Sequence, residues 1–341
     1  MDADRAPIRS GVEARQAAAA FARPITGDGL LQLLTSFGPF VVACASMYLV
    51  FPISHLLTVA LAVPTGALLV RVFIVQHDCG HGSFFASTRA NALVGRACSL
   101  FTMTPFLSWA RQHGIHHGNW SNLDRYKDAD LYSACLTVRE YLALSRWGRL
   151  LHRVPRHPLV ANVLLPPLLF VALYRVPFDT PRQCVRERRS IWLTDGALLA
   201  LFGTLALLLG WREVLAIHLS VMIVASIVGV WLFSLQHRFE TARWTRREEW
   251  NAADASMEGS SWLCLPRVLH WLTGNIGFHH VHHLNPRVPN YRLGAAHEAV
   301  QPLWPVEPLS LMGGLRAPWL TLWDEARGRL VSFRDVSRRP A

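Results

Sequence analysis

Three short histidine stretches carry the chemistry of this chain: His77-Asp78-Cys79-Gly80-His81, His113-Gly114-Ile115-His116-His117 and His279-His280-Val281-His282-His283. They hold nine of its 16 histidines. Imidazole is the commonest protein metal ligand, and its neutral form suits iron, zinc and copper. Residues at i, i+3 and i+4 share one helix face. His77 with His81, His113 with His116 and His117, and His279 with His282 and His283 are therefore each expected to point at one place. Eight convergent imidazoles exceed the four ligands of one tetrahedral zinc. They suit two metal ions, which makes the chain a candidate di-metal enzyme. His280 falls off the shared face and is expected beside the site. Cys79 reads as a small apolar filler.

Composition narrows the class. The six cysteines show no CxxC pair and no regular spacing, so neither a disulfide framework nor a thiolate metal site is expected. The net charge of +11 comes from arginines spread over loops, without a nucleic-acid motif. A basic membrane-facing surface or an acidic soluble partner accounts for it, and no nucleic acid partner is expected. Mean hydropathy is positive, unlike that of an ordinary cytosolic protein.

The elements that must position the histidines are membrane spans. Leu30 to Val70 is 41 residues without Asp, Glu, Lys or Arg, enough for two crossings of a roughly 30 Å apolar layer, with Pro52 between them. A second pair follows, with its turn placed at Arg212-Glu213. The expected spans are 30–50, 55–76, 191–211 and 214–236. The predicted fold is all-α: a multi-pass membrane protein of four transmembrane helices in two hairpins, with a cytoplasmic helical cap holding a di-metal site. Residues 118–157 and 238–341 are polar enough to build that cap. The chain divides into a cytoplasmic N-terminal segment (1–29), a membrane domain (30–324) and a disordered tail (325–341). Pro158 to Tyr174 is expected to be re-entrant or to lie in the interface, because a fifth crossing would put the third cluster on the far side. The same argument keeps Val94 to Ala110 from crossing. No cleavable signal is expected in Met1 to Arg23.

Arginine and lysine number 4 before the first span, 15 between His77 and Ser190 and 13 after Gln236, with only Arg212 in the short turns. The positive-inside rule then puts both termini and all three clusters on the cytoplasmic side. Arginine-rich, lysine-poor composition points to a GC-rich bacterial genome, hence to a plasma (inner) membrane. Ligands where spans leave the membrane suit an enzyme acting on acyl chains better than a transporter, which holds ions near the midplane. Carboxylates placed to orient ligand rings are Asp78, Asp124, Asp128, Asp130, Glu240 and Glu258. His55 and His218 read as structural, and His152, His157, His270 and His297 as surface or packing residues. Trp109, Trp211, Trp244, Trp250 and Trp271 fit an interfacial aromatic belt, and Arg71 is expected to snorkel.

The clusters and span pairs resemble the integral-membrane fatty acid desaturases, whose members carry HxxxH or HxxxxH, then HxxHH twice. HDCGHGSFF at 77–85, Asn122 to Arg125, Leu136 to Tyr141, Gln236 to Glu240 and GNIGFHHVHHLNPRVPNYRL at 274–293 are similar to the bacterial and plastid delta-12/omega-6 branch. The resemblance spans roughly residues 30–300. It implies two iron ions held by His77, His81, His113, His116, His117, His279, His282 and His283. His237, just beyond the fourth span, matches the position of a further ligand. Some relatives hold a water with an Asn four residues before it. Phe233 stands there in this chain, and Asn275 is the candidate substitute. The implied reaction is oxygen-dependent desaturation of a fatty acyl chain in membrane lipid, with a delta-12-type bond as the expected product. The chain shows no fused haem, flavin or Rossmann motif, so a separate ferredoxin-like electron donor is expected, docking at basic residues such as Arg243, Arg246 and Arg247. The same framework serves hydroxylases and ketolases, and the reading from another class is a membrane metal-binding or transport protein.

Overall fold

The computed structural model describes residues 8–128 and 134–337, with no side chains described for 8–10 and 126–128. A short helix α1 (Ile8–Ala19) precedes two long apolar ones, α2 (Thr26–Val50) and α3 (His55–His81). Then come α4 (Thr88–Thr102), α5 (Phe106–Asn119), α6 (Val138–Ala143), α7 (Arg146–Arg153) and α8 (Leu165–Val171). The second long pair is α9 (Val185–Leu209) and α10 (Trp211–His237). Six short helices follow in the cap: α11 (Ala252–Met257), α12 (Arg267–Leu272), α13 (His279–Leu284), α14 (Leu293–Val300), α15 (Leu311–Arg316) and α16 (Phe333–Ser337).

Among the described residues, four helices are long and apolar enough to cross a membrane: α2, α3, α9 and α10. Their outward faces are bare hydrocarbon: Leu56 is 82% and Leu207 89% exposed, a cost in water that a lipid layer removes. The four correspond to the expected spans, with one shifted turn. The break between α9 and α10 falls at Gly210, not at Arg212-Glu213. Gly210 has φ +93°, a conformation that suits glycine, and Arg212 and Glu213 lie in the first turn of α10. The charges mark the membrane boundary, and the glycine sets the turn. Between α3 and α10, a Cβ on Gly66 would stand 2.7 Å from Val224 Cγ1. Glycine there lets the two helices approach and brings His77, His81 and His237 to one end of the bundle.

The segments excluded from crossing are built differently. Val160–Arg175 forms a short apolar helical stretch that packs on α10. At about 1.5 Å per residue it reaches roughly 24 Å, short of the apolar layer. Val94 to Ala110 is cut at Met103–Pro105 between α4 and α5.

Short strands tie the cap together. β1 (Leu136–Thr137) runs parallel to β4 (Leu322–Asp324), which pairs antiparallel with β5 (Arg329–Val331). β2 (Trp262–Leu263) runs parallel to β3 (Pro308–Leu309). Thr137 caps α6 reciprocally: its hydroxyl accepts from the Glu140 N–H, and the Glu140 carboxylate accepts from the Thr137 N–H at 2.8 Å. The tail expected to be disordered from 325 is folded as far as Ser337, where Leu330, Val331 and Val336 are buried. Three-residue strands give no periodicity to read, and flanking arginines mask the few apolar residues. Residues 338–341, and most of the expected N-terminal segment's first ten, lie outside what is described. Arg71 does not snorkel: it is buried, donates to the Trp271 carbonyl and lies 4.3 Å from the centroid of the Trp271 ring.

Candidate metal centre

Four helix ends deliver nine histidines to one place. His77 and His81 close α3, His113, His116 and His117 close α5, His237 ends α10, and His279, His282 and His283 form α13. They sort into two groups. One holds His77, His81, His113, His117 and His282, and the other holds His116, His237, His279 and His283. Within each group the ligating atoms all lie within 4.8 Å of one another. The stacked rings of His117 and His283, 4.1 Å apart, join the two.

The expectation that each cluster serves one point holds for His77 and His81 alone. His116 and His117 go to different groups, because adjacent helical residues diverge by about 100°. His282 likewise leaves His279 and His283, so two helices each bridge both groups.

The residues fit a metal. His116 and His279 each bring Nε2 to 3.0 Å from His237 Nε2. His117 Nε2 stands 3.2 Å from that of His113 and 3.1 Å from that of His282. Two nitrogens sharing an ion at about 2.1 Å would stand roughly 3.0–3.4 Å apart. One ring nitrogen offers one proton or one lone pair, so it cannot complete hydrogen bonds with two others. A shared cation can take all three. His81 Nε2 and His283 Nε2 are buried without a protein partner. Burial, and after it the neighbouring imidazoles, hold His113, His117, His279, His282 and His283 well below the ordinary histidine value. Neutral rings keep the lone pair that ligation needs.

One carboxylate orients a ring. Asp78 Oδ1 lies 2.9 Å from His77 Nδ1, which leaves His77 Nε2 to face the group. Asp78 Oδ2 accepts from the Asn290 N–H at 2.6 Å and from its side-chain amide at 2.8 Å. Asn290 Oδ1 in turn accepts from Gln32 Nε2 at 2.7 Å. All four residues are buried, so this chain of bonds fixes α2, α3 and the loop before α14 around one imidazole. The other nominated carboxylates are engaged elsewhere: Asp124 with Arg246 at 3.0 Å, Glu240 with Arg329 at 2.6 Å and Glu258 with Arg243 at 2.7 Å. The Asp128 side chain and all of Asp130 lie outside the described residues. Arg246 also pairs with Glu140 and Glu325, so two of the three arginines nominated for docking are committed within the cap.

Aromatic rings close the site. Trp109 stacks on His113 at 4.7 Å, and Trp120 lies 3.8 Å from the His237 ring while donating to the Gly259 carbonyl at 2.8 Å. Trp109 and Trp244 are thus buried, whereas Trp211 and Trp271 are exposed as belt residues would be. Phe233, four residues before His237, lies 5.1 Å from His116 and 5.3 Å from His237, so an aromatic ring fills that position. Asn275 donates to the Asn290 carbonyl at 3.1 Å. His280 is in neither group and pairs with buried His297 at 3.1 Å. Cys79 is buried in the apolar core. Gln32, Asn290 and Trp120 escaped sequence reasoning. Gln32 left one signal, a polar residue near the start of an otherwise apolar span.

With this geometry established, comparison places the chain among known proteins. The family model described as "Fatty acid desaturase" matches residues 54–312. The chain is 41% identical over 322 residues to a "Fatty acid desaturase" of Bacillus subtilis (strain 168), covering 94% of this chain and 90% of that protein. It is 27% identical to an "sn-1 oleoyl-lipid 12-desaturase" of Synechocystis sp., covering 70% and 67%. It is 26% identical to an "sn-1 acyl-lipid omega-3 desaturase (ferredoxin)" of the same organism, covering 70% and 66%.

Proposed function

This chain belongs to the fatty acid desaturase family, and on that premise we propose that it inserts a delta-12-type double bond into the acyl chain of a membrane lipid at a site holding two iron ions. As a desaturase it is an oxidoreductase and a membrane protein. The observation that carries the two-ion reading is the sorting of nine imidazoles into two groups, one buried throughout and the other buried to half-buried. In the proposed assignment His77, His81, His113, His117 and His282 hold one ion, and His116, His237, His279 and His283 hold the other. Bound iron supplies the dioxygen chemistry that takes hydrogen from two adjacent methylenes, which no side chain achieves by acid–base means.

The protein contributes position. Asp78 accepts the Nδ1 proton of His77 and leaves the opposite nitrogen for the metal. Trp109, Trp120 and Phe233 wall the imidazoles and keep bulk water from them. Overall, one dioxygen, two hydrogen atoms (two electrons and two protons) from the substrate, two electrons from a donor and two protons from solvent leave as two waters. A ferredoxin-like protein is the proposed donor, a reading supported by the name of the Synechocystis omega-3 relative. The delta-12 position draws the same kind of support from the oleoyl-lipid relative. The proposed location is a bacterial plasma membrane with the histidines and both termini cytoplasmic, on the strength of the arginine distribution.

The test is expression in a bacterium lacking polyunsaturated lipids, with His116→Ala as control and fatty acid methyl esters followed by gas chromatography and mass spectrometry. A new diene that disappears in the variant is the expected result, and its fragments give the bond position. An oxygenated product would make the enzyme a hydroxylase. Unchanged lipids from protein carrying two irons, with ferredoxin supplied, would remove the delta-12 assignment.

A further inference from the structure

Helix α7 shows the reverse of a soluble helix. Trp147, Leu150, Leu151 and Val154 recur at i, i+3, i+4 and i+7, so they share one face. That face is uncovered: Trp147 and Leu151 are each 74% exposed, and no residue of α7 is buried. Arg146, Arg149 and Arg153 lie along one flank, and Arg146 to His157 contains no acidic residue. The opposite side meets the cap, where His152 lies 6.0 Å from the Phe333 ring and Arg153 5.3 Å.

Its position along the bundle is set by its neighbours. The chain leaves α7 directly into Val160–Leu164, which packs against α10. His157 lies 5.7 Å from Trp319, whose turn also packs against α10. The adjoining α15 meets α10 at Trp231 and Leu235, within the last two turns before His237, and exposes Leu311, Met312 and Leu315 beside it. The bare face of α7 therefore continues the apolar belt of the spans at the metal-bearing end.

We propose that α7 lies in the headgroup layer of the leaflet beside the metal centre and binds anionic phospholipid. Its apolar stripe enters the acyl chains, and exposed Arg146 meets lipid phosphates. Three features select this occupant. The belt is continuous with lipid-facing helices, the flank is purely cationic, and four exposed side chains offer far less than the roughly 1,200 Å² of a stable protein interface.

The test uses the full-length protein in phosphatidylcholine and phosphatidylglycerol vesicles. One lipid at a time carries bromine near the glycerol end of its acyl chains. The fluorescence lost in Trp147→Phe reports Trp147 against the other tryptophans. That component is expected to be quenched by brominated lipid, and more by the glycerol lipid than by the choline lipid. Arg146→Gln, at an exposed position, should lower this preference about fivefold, the weight of one interfacial charge. Quenching by aqueous iodide instead of bromolipid would overturn the proposal, as would resistance to both, which would mean protein covers the stripe. Bromolipid quenching without preference for the glycerol lipid would overturn the anionic selectivity.

Discussion

His77 and His237 end neighbouring long helices and are held by different physics. His77 is gripped through its rear nitrogen by a carboxylate, itself fixed by Asn290 and Gln32. His237 is packed against the tilted Trp120 ring, centroids 3.8 Å apart, with Phe233 at its side. The first corner depends on charge and hydrogen bonding, the second on shape. A ring held by charge should be sensitive to polar changes that alter no volume. A ring held by packing should be sensitive to volume and indifferent to charge.

The largest expected effect is common to both corners. His77→Ala or His237→Ala should abolish desaturation and lower bound iron, measured by plasma mass spectrometry. Full activity in either variant would break the assignment of nine ligands. The corners should then part. Trp120→Ala should destabilise the protein by about 3–5 kcal/mol, read by thermal unfolding in detergent, with iron lost as the fold loosens. Asp78→Asn should lower metal affinity about 10–100-fold while the metal-free protein unfolds near the wild-type temperature. The reverse pattern would erase the contrast. Asn290→Ala should cost about 1–3 kcal/mol by leaving the buried Gln32 amide without its acceptor. Restoring an apolar match with Gln32→Leu in the same chain should recover much of that loss. Smallest of all, Arg246→Ala should change stability by at most about 1 kcal/mol, since its three carboxylate partners are part-exposed and screened by salt.

The bundle was legible because hydrophobicity is strong over twenty-residue windows, and the four long helices fall where charge-free runs predicted them. Eight of the histidines were legible because helical spacing makes convergence visible, and His237 through the family resemblance alone; all nine lie in the two groups. Their partition was not. His116 and His117 are adjacent in sequence, and only the placement of α10 and α13 decides which metal group each faces. The ordered stretch after 325 was hidden because β4 and β5 are three residues each and draw their stability from β1, almost two hundred residues earlier. Gln32 and Asn290 were hidden for a related reason: a hydrogen bond across 258 positions leaves no local trace.

That same division of the histidines sets an order of manufacture. Four of the five imidazoles in the His77 group lie between residues 77 and 117, well before the middle of the chain. The other group has only His116 until residue 237 is made, and waits for residue 283 to be complete. At about 5–20 residues per second, the ribosome leaves an interval of roughly 8–33 s between His117 and His282. During it the first hairpin carries a nearly finished imidazole cluster and the second group does not yet exist. Metal entering in step with synthesis would therefore fill the two positions one after the other, the His77 group first.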